Sequence, residues 1–426
     1  MIPFTAFGLL GLLALSIPVG IVLFLLAFGI DFFFSPFPLM RGLGQVVWSS
    51  SNSATLIAIP LFVLLGEILV RSGVASRTYT ALDKWVSWLP GGLIHANIAT
   101  STMFSATSGS SVATAATVAT VAMPQARALG YNEKLFSGAI AAGGTLGIII
   151  PPSINLIVYG FLTESSIPQL FLAGLLPGLL MALLFMIFTV ILCVLWPSLG
   201  GPRRPSAWRE RFVGLLDLIP IFGLFAAIVG SIYAGWATPT EAAAIGVGIA
   251  LAIAVQQRAF SLDMLSQALR GAVRTSAMIM LVVIGAYVLN FVLTAAGVSR
   301  ALQDLLNGLG LGPLATLLVI VLMYIVLGFF IETLSLMVAT IPIVVPIIVH
   351  LGYDKIWFGI LMIILVEMAL ITPPVGLNLY VVQSARGRAP FKDVMLGCIP
   401  YAFAMLLMVG LLILAPQLAL FLPSSL

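Results

Sequence analysis

The segments IIPPSIN (149–155) and ITPPVGLN (371–378) each place a proline pair inside a long apolar stretch of the chain. Proline lacks a backbone N–H and disfavours the helical conformation in the residue before it, so a proline pair interrupts a helix. The surrounding runs, 135–163 and 357–385, are otherwise long and apolar enough to cross a bilayer. We therefore predict two broken membrane helices, each divided into two halves at its proline pair.

The two segments belong to an internal repeat with an offset of 222 residues. At this offset the sequence Leu-Gly-Tyr at 129–131 falls on the same sequence at 351–353. A general excess of Leu, Ile and Val does not produce such a match, nor does it explain why the two proline pairs coincide at the same offset. The chain is therefore predicted to consist of two repeats, residues 1–196 and 212–426, joined by a basic cytoplasmic linker at 197–211.

The composition identifies an integral membrane protein. Of the 426 residues, 61% are hydrophobic and only 8% are charged, whereas soluble domains carry about 25% charged residues. The net charge of +4 comes from scattered basic residues, so we expect a lipid bilayer and no nucleic acid as a partner. The two cysteines, Cys193 and Cys398, lie in separate apolar runs, where small buried side chains are expected rather than a disulfide or a metal site.

Nine apolar runs approach the roughly 20 residues that a membrane crossing needs. They are 3–30, 54–70, 135–163, 168–196, 212–233, 241–256, 275–296, 357–385 and 394–422. The first run is longer than the roughly 7 to 15 apolar residues of a signal peptide, so it is predicted to be a retained span. The amphipathic stretches 71–88 and 258–274 are predicted to be interfacial helices.

Two further apolar regions, 91–124 and 311–349, are each divided by a polar tip, at 105–111 and 331–335. Arms of this length around a polar tip favour re-entrant hairpins that enter and leave the membrane on one side. Two ordinary helices joined by a polar turn are the alternative.

The basic residues orient this topology. If the hairpins do not cross, fifteen of the eighteen Lys and Arg residues lie on one side, and only Arg41, Arg300 and Lys355 lie on the other. The positive-inside rule then places the N-terminus in the cytoplasm and the C-terminus outside. Five crossings separate the first span from its counterpart near 225–252, so the two repeats are predicted to be inverted.

Inverted repeats with broken helices at matching positions are typical of secondary transporters whose binding site lies near the bilayer midplane. The hairpins and broken helices are predicted to form a mobile transport domain, and the other helices a static scaffold. An enzyme is not expected, because the chain contains no HExxH, no GxSxG and no paired intramembrane aspartates.

Five motifs, in this order along the chain, resemble those of one transporter family. They are IPLF at 59–62 with Gly66-Glu67, SGSS at 108–111 leading to Pro124, PPSIN at 151–155, ATPTEAAA at 237–244 and TPPVGLN at 372–378. Together they resemble the large membrane subunit of the tripartite ATP-independent periplasmic (TRAP) transporters over nearly the whole chain. The resemblance implies a sodium-driven, elevator-type carrier of the bacterial inner membrane that imports organic acids from a periplasmic substrate-binding protein. It also implies a separate small membrane subunit of four helices.

Oxygen atoms at the hairpin tips and helix breaks predict two pseudo-symmetric sodium sites, since sodium needs oxygen ligands in place of its water. The first site combines the tip residues Ser105, Thr107, Ser108, Gly109, Ser110 and Ser111 with Pro151, Ser153 and Asn155 of the break. The second site combines Glu332, Thr333 and Ser335 with Thr372, Gly376 and Asn378. Close helix packing by small residues is the alternative explanation of the Ser and Thr clusters.

The predicted substrate site lacks a basic residue, because no Lys or Arg lies in either tip or either broken helix. A carboxylate is therefore expected to be held by helix N-termini, hydroxyl groups and the bound sodium ions. The predicted substrate ligands are Ser108, Ser110, Ser111, Ser153, Thr333 and Pro374. Glu332 and Glu367 are candidates for ion or proton coupling. Glu67 is expected to pair with Arg71 or with the small subunit, and Glu241 to cap a helix.

The identity of the substrate stays open at this point. A C4-dicarboxylate is the default expectation, with sialic acid, keto acids and zwitterions such as ectoine as alternatives. A different family of sodium-coupled elevator carriers, which takes dicarboxylates without a binding protein, is the alternative function.

Overall fold

A computed structural model describes residues 2–15, 17–35, 38–202, 207–298, 310, 312–374, 376–387 and 389–425. All regular secondary structure in these ranges is helical. The α-helices are α1 (Ile2–Ala14), α2 (Val19–Phe34), α3 (Leu43–Ser51), α4 (Ala58–Arg71), α5 (Val74–Val86), α6 (Leu93–Ser108), α7 (Ser111–Ala128), α8 (Glu133–Ile149), α9 (Ile154–Thr163), α10 (Ile167–Leu195), α11 (Trp208–Tyr233), α12 (Pro239–Gln256), α13 (Leu262–Ala295), α14 (Pro313–Gly328), α15 (Thr333–His350), α16 (Lys355–Ala369), α17 (Leu377–Arg386), α18 (Phe391–Leu414) and α19 (Gln417–Leu420). Seven helical segments of the described chain are long and apolar enough to cross a membrane, or eight if the bent pair α8–α9 counts as one span. The all-helical membrane fold is thus confirmed.

The first apolar run does not form one span. Helices α1 and α2 fold back on each other, because the ring of Phe4 lies 5.6 Å from that of Phe33 and 5.4 Å from that of Phe34. Pro18 precedes α2 and disfavours helix in the residue before it, which divides the run into arms of 13 and 16 residues. The prediction of a single crossing at 3–30 is therefore wrong.

Two other predicted boundaries also change. The interfacial helix predicted at 258–274 and the span predicted at 275–296 form one continuous helix, α13, of 34 residues. Helix α11 begins at Trp208, so the end of the predicted linker 197–211 is helical. Arg203 and Arg204 of the linker lie outside the described residues. The amphipathic stretch at 71–88 contains the end of α4 and the whole of α5.

The helices pack as two groups. In the first, which we call the scaffold layer, α13 packs against α2, α3 and α4, and α12 packs against α4 and α11. In the second, which we call the core, α8 packs against α6, α7 and α18, and α16 packs against α14 and α15. Helix α5 lies between the groups, against α6 and α11. The core therefore contains both predicted hairpins and both broken helices.

Helices α8 and α16 form the centre of the core. Every residue from Leu135 to Ile149 is buried, as is every residue from Trp357 to Ala369. A Cβ atom added to Gly138 of α8 would lie 2.1 Å from the carbonyl group of Gly397 on α18. Only glycine permits this backbone contact, so small residues bring the helices of the two repeats together.

A buried arginine also joins the two repeats. Arg386, at the end of α17, is 5% exposed. Its Nε donates to Oε2 of Glu133 at 2.7 Å, and its Nη2 donates to Oδ2 of Asp393 at 3.0 Å. The other carboxylate oxygen of Glu133 forms an ion pair with Arg127 at the end of α7. The N-terminal ends of α8 and α18 are thereby tied to the C-terminal ends of α7 and α17.

The helix boundaries follow the 222-residue offset seen in the sequence. Helix α7 begins at Ser111 and α15 at Thr333, while α8 begins at Glu133 and α16 at Lys355. The residues before α8 and α16 are Asn132 and Asp354, and both cap the helix with a side-chain oxygen. The repeat therefore extends to the capping chemistry of its helices.

Candidate functional site

The first hairpin tip lies between α6 and α7. Gly109 adopts a left-handed conformation with φ of 60°, and Ser110 caps α7 by accepting a hydrogen bond from the Ala113 amide at 3.4 Å. The hydroxyls of Ser108 and Thr114 share a hydrogen bond of 2.7 Å. A Cβ on Gly109 would lie 3.2 Å from the Pro152 carbonyl oxygen, so this tip packs directly on the first helix break.

The second hairpin tip, between α14 and α15, is capped by a carboxylate. Glu332 accepts hydrogen bonds from the backbone amides of Leu334 at 3.1 Å and Ser335 at 3.0 Å, and from the Ser335 hydroxyl at 2.8 Å. The hydroxyl of Thr333 donates to the Val366 carbonyl at 3.3 Å. Both carboxylate oxygens of Glu332 are thus occupied by the tip itself.

The first helix break is enclosed. Helices α8 and α9 are bent by 40° at a break that contains the proline pair, and Pro151, Pro152 and Ser153 are all buried. Ser153 caps α9 by accepting a hydrogen bond from the Leu156 amide at 3.3 Å. Asn155, in the first turn of α9, is 5% exposed, and its Nδ2 has no hydrogen-bond partner among the described residues.

The second helix break is more open. Pro373 and Pro374 are exposed, and Thr372 is half-buried with its hydroxyl bonded to the Met368 carbonyl at 2.9 Å. The backbone N–H of Asn378 donates to the Leu370 carbonyl at 3.1 Å. This hydrogen bond connects the two halves of the helix across the break. The predicted breaks therefore occur at both proline pairs but differ in burial.

Both tips and both breaks meet at one cavity of about 170 Å³. Helices α4 and α13 of the scaffold layer complete its wall. The lining residues are Val63, Gly66, Glu67, Val70, Ser108, Gly109, Ser110, Ser111, Val112, Ala113, Ile148, Ile154, Asn155, Thr275, Met278, Ile279, Glu332, Thr333, Leu334, Leu370 and Leu377. The charged side chains among them are two glutamates, and no basic residue is among them.

The cavity brings together residues from both predicted sodium sites. Its lining includes Ser108, Gly109, Ser110, Ser111, Asn155, Glu332 and Thr333. Other predicted ligands lie outside the lining, namely Ser105, Pro151, Ser153, Ser335, Thr372, Pro374, Gly376 and Asn378. The hydroxyl of Ser105 donates instead to the Ser101 carbonyl within its own helix. The side chain of Thr107 lies outside the described part of the chain.

The two asparagines do not occupy equivalent positions. At the 222-residue offset Asn155 corresponds to Leu377, and both line the cavity. Asn378 is one residue further along its helix and is completely buried. Its Nδ2 donates to the Ala141 carbonyl of α8 at 3.0 Å. Asn155 therefore faces the cavity, whereas Asn378 connects α17 to the centre of the core.

The scaffold contribution to the cavity is not part of the predicted site. A Cβ on Gly66 of α4 would lie 2.7 Å from the Ser108 carbonyl oxygen, so the scaffold touches the first tip through a glycine. Glu67 forms an ion pair with Arg71, which confirms the predicted pairing. Gly66 and Glu67 stand in one of the family motifs, and this was the signal that could have placed them at the site. Thr238 and Glu241 form the predicted helix cap.

A cavity surrounded by two hairpin tips and two interrupted helices defines a class of protein. Helix ends and irregular backbone inside a membrane are stable only where they are buried in protein or line a binding site. Such discontinuous helices in repeated halves are the architecture of secondary transporters. The fold and the site therefore define a membrane transporter.

The chain belongs to the family described as "Tripartite ATP-independent periplasmic transporter, DctM component", whose profile matches residues 6–418. It is 32% identical to the sialic acid TRAP transporter large permease protein SiaM of Vibrio cholerae, over 98% of this chain and 97% of the relative. It is 33% identical to the C4-dicarboxylate TRAP transporter large permease protein DctM of Pseudomonas aeruginosa, over 90% of each. The resemblance to TRAP large subunits is thus confirmed, and the chain is a transporter subunit rather than an enzyme.

Two further relatives extend the comparison. The ectoine TRAP transporter large permease protein TeaC of Halomonas elongata is 32% identical over 97% of each chain. The crystal structure of the Alcanivorax borkumensis YdaH transporter matches this fold with a TM-score of 0.63 at 14% identity, covering 96% of this chain and 97% of that one. The named substrates of these relatives differ widely, although their similarity to this chain is almost uniform.

Proposed function

We propose that this chain is the sodium-coupled permease subunit of a transporter that imports a small organic acid, a C4-dicarboxylate or related carboxylate, by an elevator mechanism. One observation carries the proposal: both hairpin tips and both broken helices meet at a single cavity whose charged lining consists of glutamates. Serine and threonine hydroxyls, the Asn155 amide and the backbone of both tips supply the remaining polar groups.

The charge of this cavity favours cation-assisted binding. A carboxylate substrate that enters a site lined by Glu67 and Glu332 gains no attraction from these acids, and a low dielectric increases any repulsion. Glu332 is satisfied by its helix cap, and Arg71 is already paired with Glu67, so this ion pair leaves no free positive charge for the substrate. Bound sodium ions would supply that charge. We therefore expect sodium to bind before the substrate.

The proposed sodium ligands are the residues of the two predicted sites, which lie in the hairpin tips and at the helix breaks. Of these, Ser108, Ser110, Ser111, Thr333 and Asn155 line the cavity, where their oxygen atoms suit either sodium or the substrate. The direct partners of Ser105 and Glu332 within their own helices leave these two side chains as the weakest members of the set.

Packing supports a core that moves as one body. Gly138 and Gly397 are in backbone contact, and Arg386 links the carboxylates of Glu133 and Asp393, so both repeats are locked together within the core. The scaffold meets the first tip at Gly66, where no side chain separates the two backbones, and we propose that the core slides along this contact. Moving a cation along the membrane field is worth about 2.3 kcal/mol per charge per 100 mV. An excess of sodium over substrate charge would therefore make uptake electrogenic.

The orientation and the partners complete the proposal. The charge bias places the loops after α4 and α12 in the cytoplasm and the C-terminus in the periplasm of a bacterial inner membrane. The sequence predicts a cytoplasmic N-terminus from one crossing at 3–30. Because the α1–α2 hairpin replaces that crossing, we propose instead that the N-terminus lies on the periplasmic side. A small four-helix subunit would pack beside the scaffold layer, and a periplasmic binding protein would deliver the substrate.

The proposal is tested by uptake into proteoliposomes. The chain is reconstituted with its small subunit, and the binding protein is supplied with radiolabelled succinate, sialic acid or ectoine under an inward sodium gradient. We expect uptake of one solute that requires both sodium and the binding protein, and a choline gradient serves as the control. Uptake driven by potassium or choline would contradict sodium coupling. Sodium-dependent dicarboxylate uptake without the binding protein would establish the alternative carrier.

A further inference from the structure

A buried carboxylate lies one layer behind the cavity. Glu367 of α16 is 1% exposed and is not part of the cavity lining. The Ser111 hydroxyl donates a hydrogen bond of 2.5 Å to its Oε2, while its Oε1 has no partner among the described residues. None of the ion pairs found in the described chain includes this acid. Glu367 thus has a single neutral partner, which comes from the first hairpin tip.

Asn378 contributes a second unsatisfied oxygen. Its Nδ2 donates to the Ala141 carbonyl at 3.0 Å, and because a carbonyl only accepts, this bond identifies the amide nitrogen. The Oδ1 atom is buried and has no partner in the described part of the chain. A buried amide oxygen without a donor costs free energy unless another group satisfies it.

The two oxygens belong to one junction. A Cβ on Gly144 of α8 would lie 3.0 Å from the Ser111 carbonyl oxygen and 2.9 Å from the Asn378 Nδ2 atom. Ser111 is also the residue that contacts Glu367. The start of α7, the middle of α8, the end of α16 and the start of α17 therefore converge on this point. Its unpartnered polar atoms, Oε1 of Glu367 and Oδ1 of Asn378, are both acceptors.

We infer that this junction binds a sodium ion between the Glu367 carboxylate and the Asn378 amide oxygen, beneath the Ser111 hydroxyl. An ionised carboxylate buried without a counter-ion costs several kcal/mol. A hard cation removes that cost and uses the acceptor oxygens that the helices leave unfilled. The inference rests on the sodium coupling of the proposed function and adds a charged ligand to it.

The charged ligand belongs to one repeat only. At the 222-residue offset Glu367 corresponds to Thr145, whose hydroxyl donates to the Ala142 carbonyl at 2.6 Å. Of the two acids that line the cavity, Glu332 has both oxygens occupied by its own helix, and Glu67 forms an ion pair with Arg71. This junction therefore differs from the two predicted sodium sites. It assigns Asn378 to a separate site instead of to the second predicted site.

The test is Glu367→Gln in the complete transporter in proteoliposomes. Glutamine keeps the side-chain length and an oxygen that accepts from Ser111, but it removes the charge. We expect the half-saturating sodium concentration to rise about tenfold or more, and the Hill coefficient for sodium to fall by about one. The matched control is Glu210→Gln, which removes the charge of an exposed glutamate in the first turn of α11, outside every proposed site, and for which we expect a shift of less than about twofold.

Two further measurements separate the outcomes. Asn378→Ala keeps the charge of Glu367 and should also raise the half-saturating sodium concentration. In thermal unfolding, both purified variants should lose part of the stabilisation that sodium gives to the wild-type protein relative to choline. Wild-type sodium titrations in both variants would overturn the site. A Glu367→Gln variant that loses only the pH dependence of uptake would assign a proton to Glu367 and overturn it as well. Sodium-independent uptake by the wild-type protein would instead overturn the proposed function itself.

Discussion

The first hairpin tip is capped by the hydroxyl of Ser110 and the second by the carboxylate of Glu332, although the helices that follow begin at equivalent positions of the repeat. The next residues also differ in their partners. The Ser111 hydroxyl binds the Glu367 side chain, whereas the Thr333 hydroxyl binds the backbone carbonyl of Val366. The repeat therefore reproduces the path of the backbone but not the chemistry of the side chains.

The two helix breaks show the same asymmetry. The first is buried under the first tip, while the prolines of the second are exposed. An enclosed break excludes water from its carbonyl groups, and an open break does not. The first break is therefore better shielded from water, whereas the second repeat supplies both Glu332 and Glu367.

The largest effect is expected where the first tip meets the scaffold. In Gly66→Val the new side chain would overlap the Ser108 carbonyl, and overpacking of this kind costs about 1–3 kcal/mol. We expect uptake to fall about tenfold or more, measured as the initial rate in proteoliposomes. Gly248→Val on α12 is the control, because no atom lies within 4 Å of that Cβ position. Normal uptake by Gly66→Val would show that this contact has no role in transport.

The two caps allow a direct comparison of stability. Glu332→Ala removes an acceptor from two amides and one hydroxyl, whereas Ser110→Ala removes one hydrogen bond of 3.4 Å. We expect losses of about 2 kcal/mol and about 0.5 kcal/mol respectively. Thermal unfolding of the purified variants in one detergent would measure both. Equal losses would show that the carboxylate cap is no stronger than the hydroxyl cap.

Modest effects are expected at the two asparagines, and they should differ in kind. Asn155→Ala alters the cavity lining, so we expect the KM for the substrate to rise about threefold with little change in stability. Asn378→Ala removes the bond to Ala141, so we expect a loss of about 1 kcal/mol of stability. Uptake kinetics and thermal unfolding of both variants provide the check. An unchanged KM in Asn155→Ala would remove this residue from the substrate site.

Local chemistry made part of this molecule predictable from its sequence. Proline pairs interrupt helices wherever they occur, so both breaks lie at the predicted prolines, and the polar tips lie between helical arms. The fold-back of α1 on α2 does not follow from the sequence pattern, because Pro18 lies within a continuous apolar run. The packing of Phe4 on Phe33 accompanies the fold-back of α1 on α2. Because these residues are far apart in the sequence, no local sequence pattern predicts their contact.

The pairing of side chains across the repeats was not predictable. Ser111 and Glu367 are 256 residues apart, and the packing of both α7 and α16 against α8 brings them together. Asn155 and Asn378 were treated as equivalent, although they differ by one residue in register. One residue turns a helical side chain by about 100°, which directs the two amides to different surroundings.

The length of α13 gives the scaffold a fixed depth. Its 34 residues extend about 50 Å, whereas the hydrocarbon layer is about 30 Å thick. Asp263, Arg270 and Arg274 lie within its first thirteen residues, and such charges favour a position among the lipid headgroups. In the proposed elevator mechanism, the core slides along this helix, whose charged end is held at the membrane surface. A thicker or thinner bilayer should therefore change the distance over which the substrate is carried.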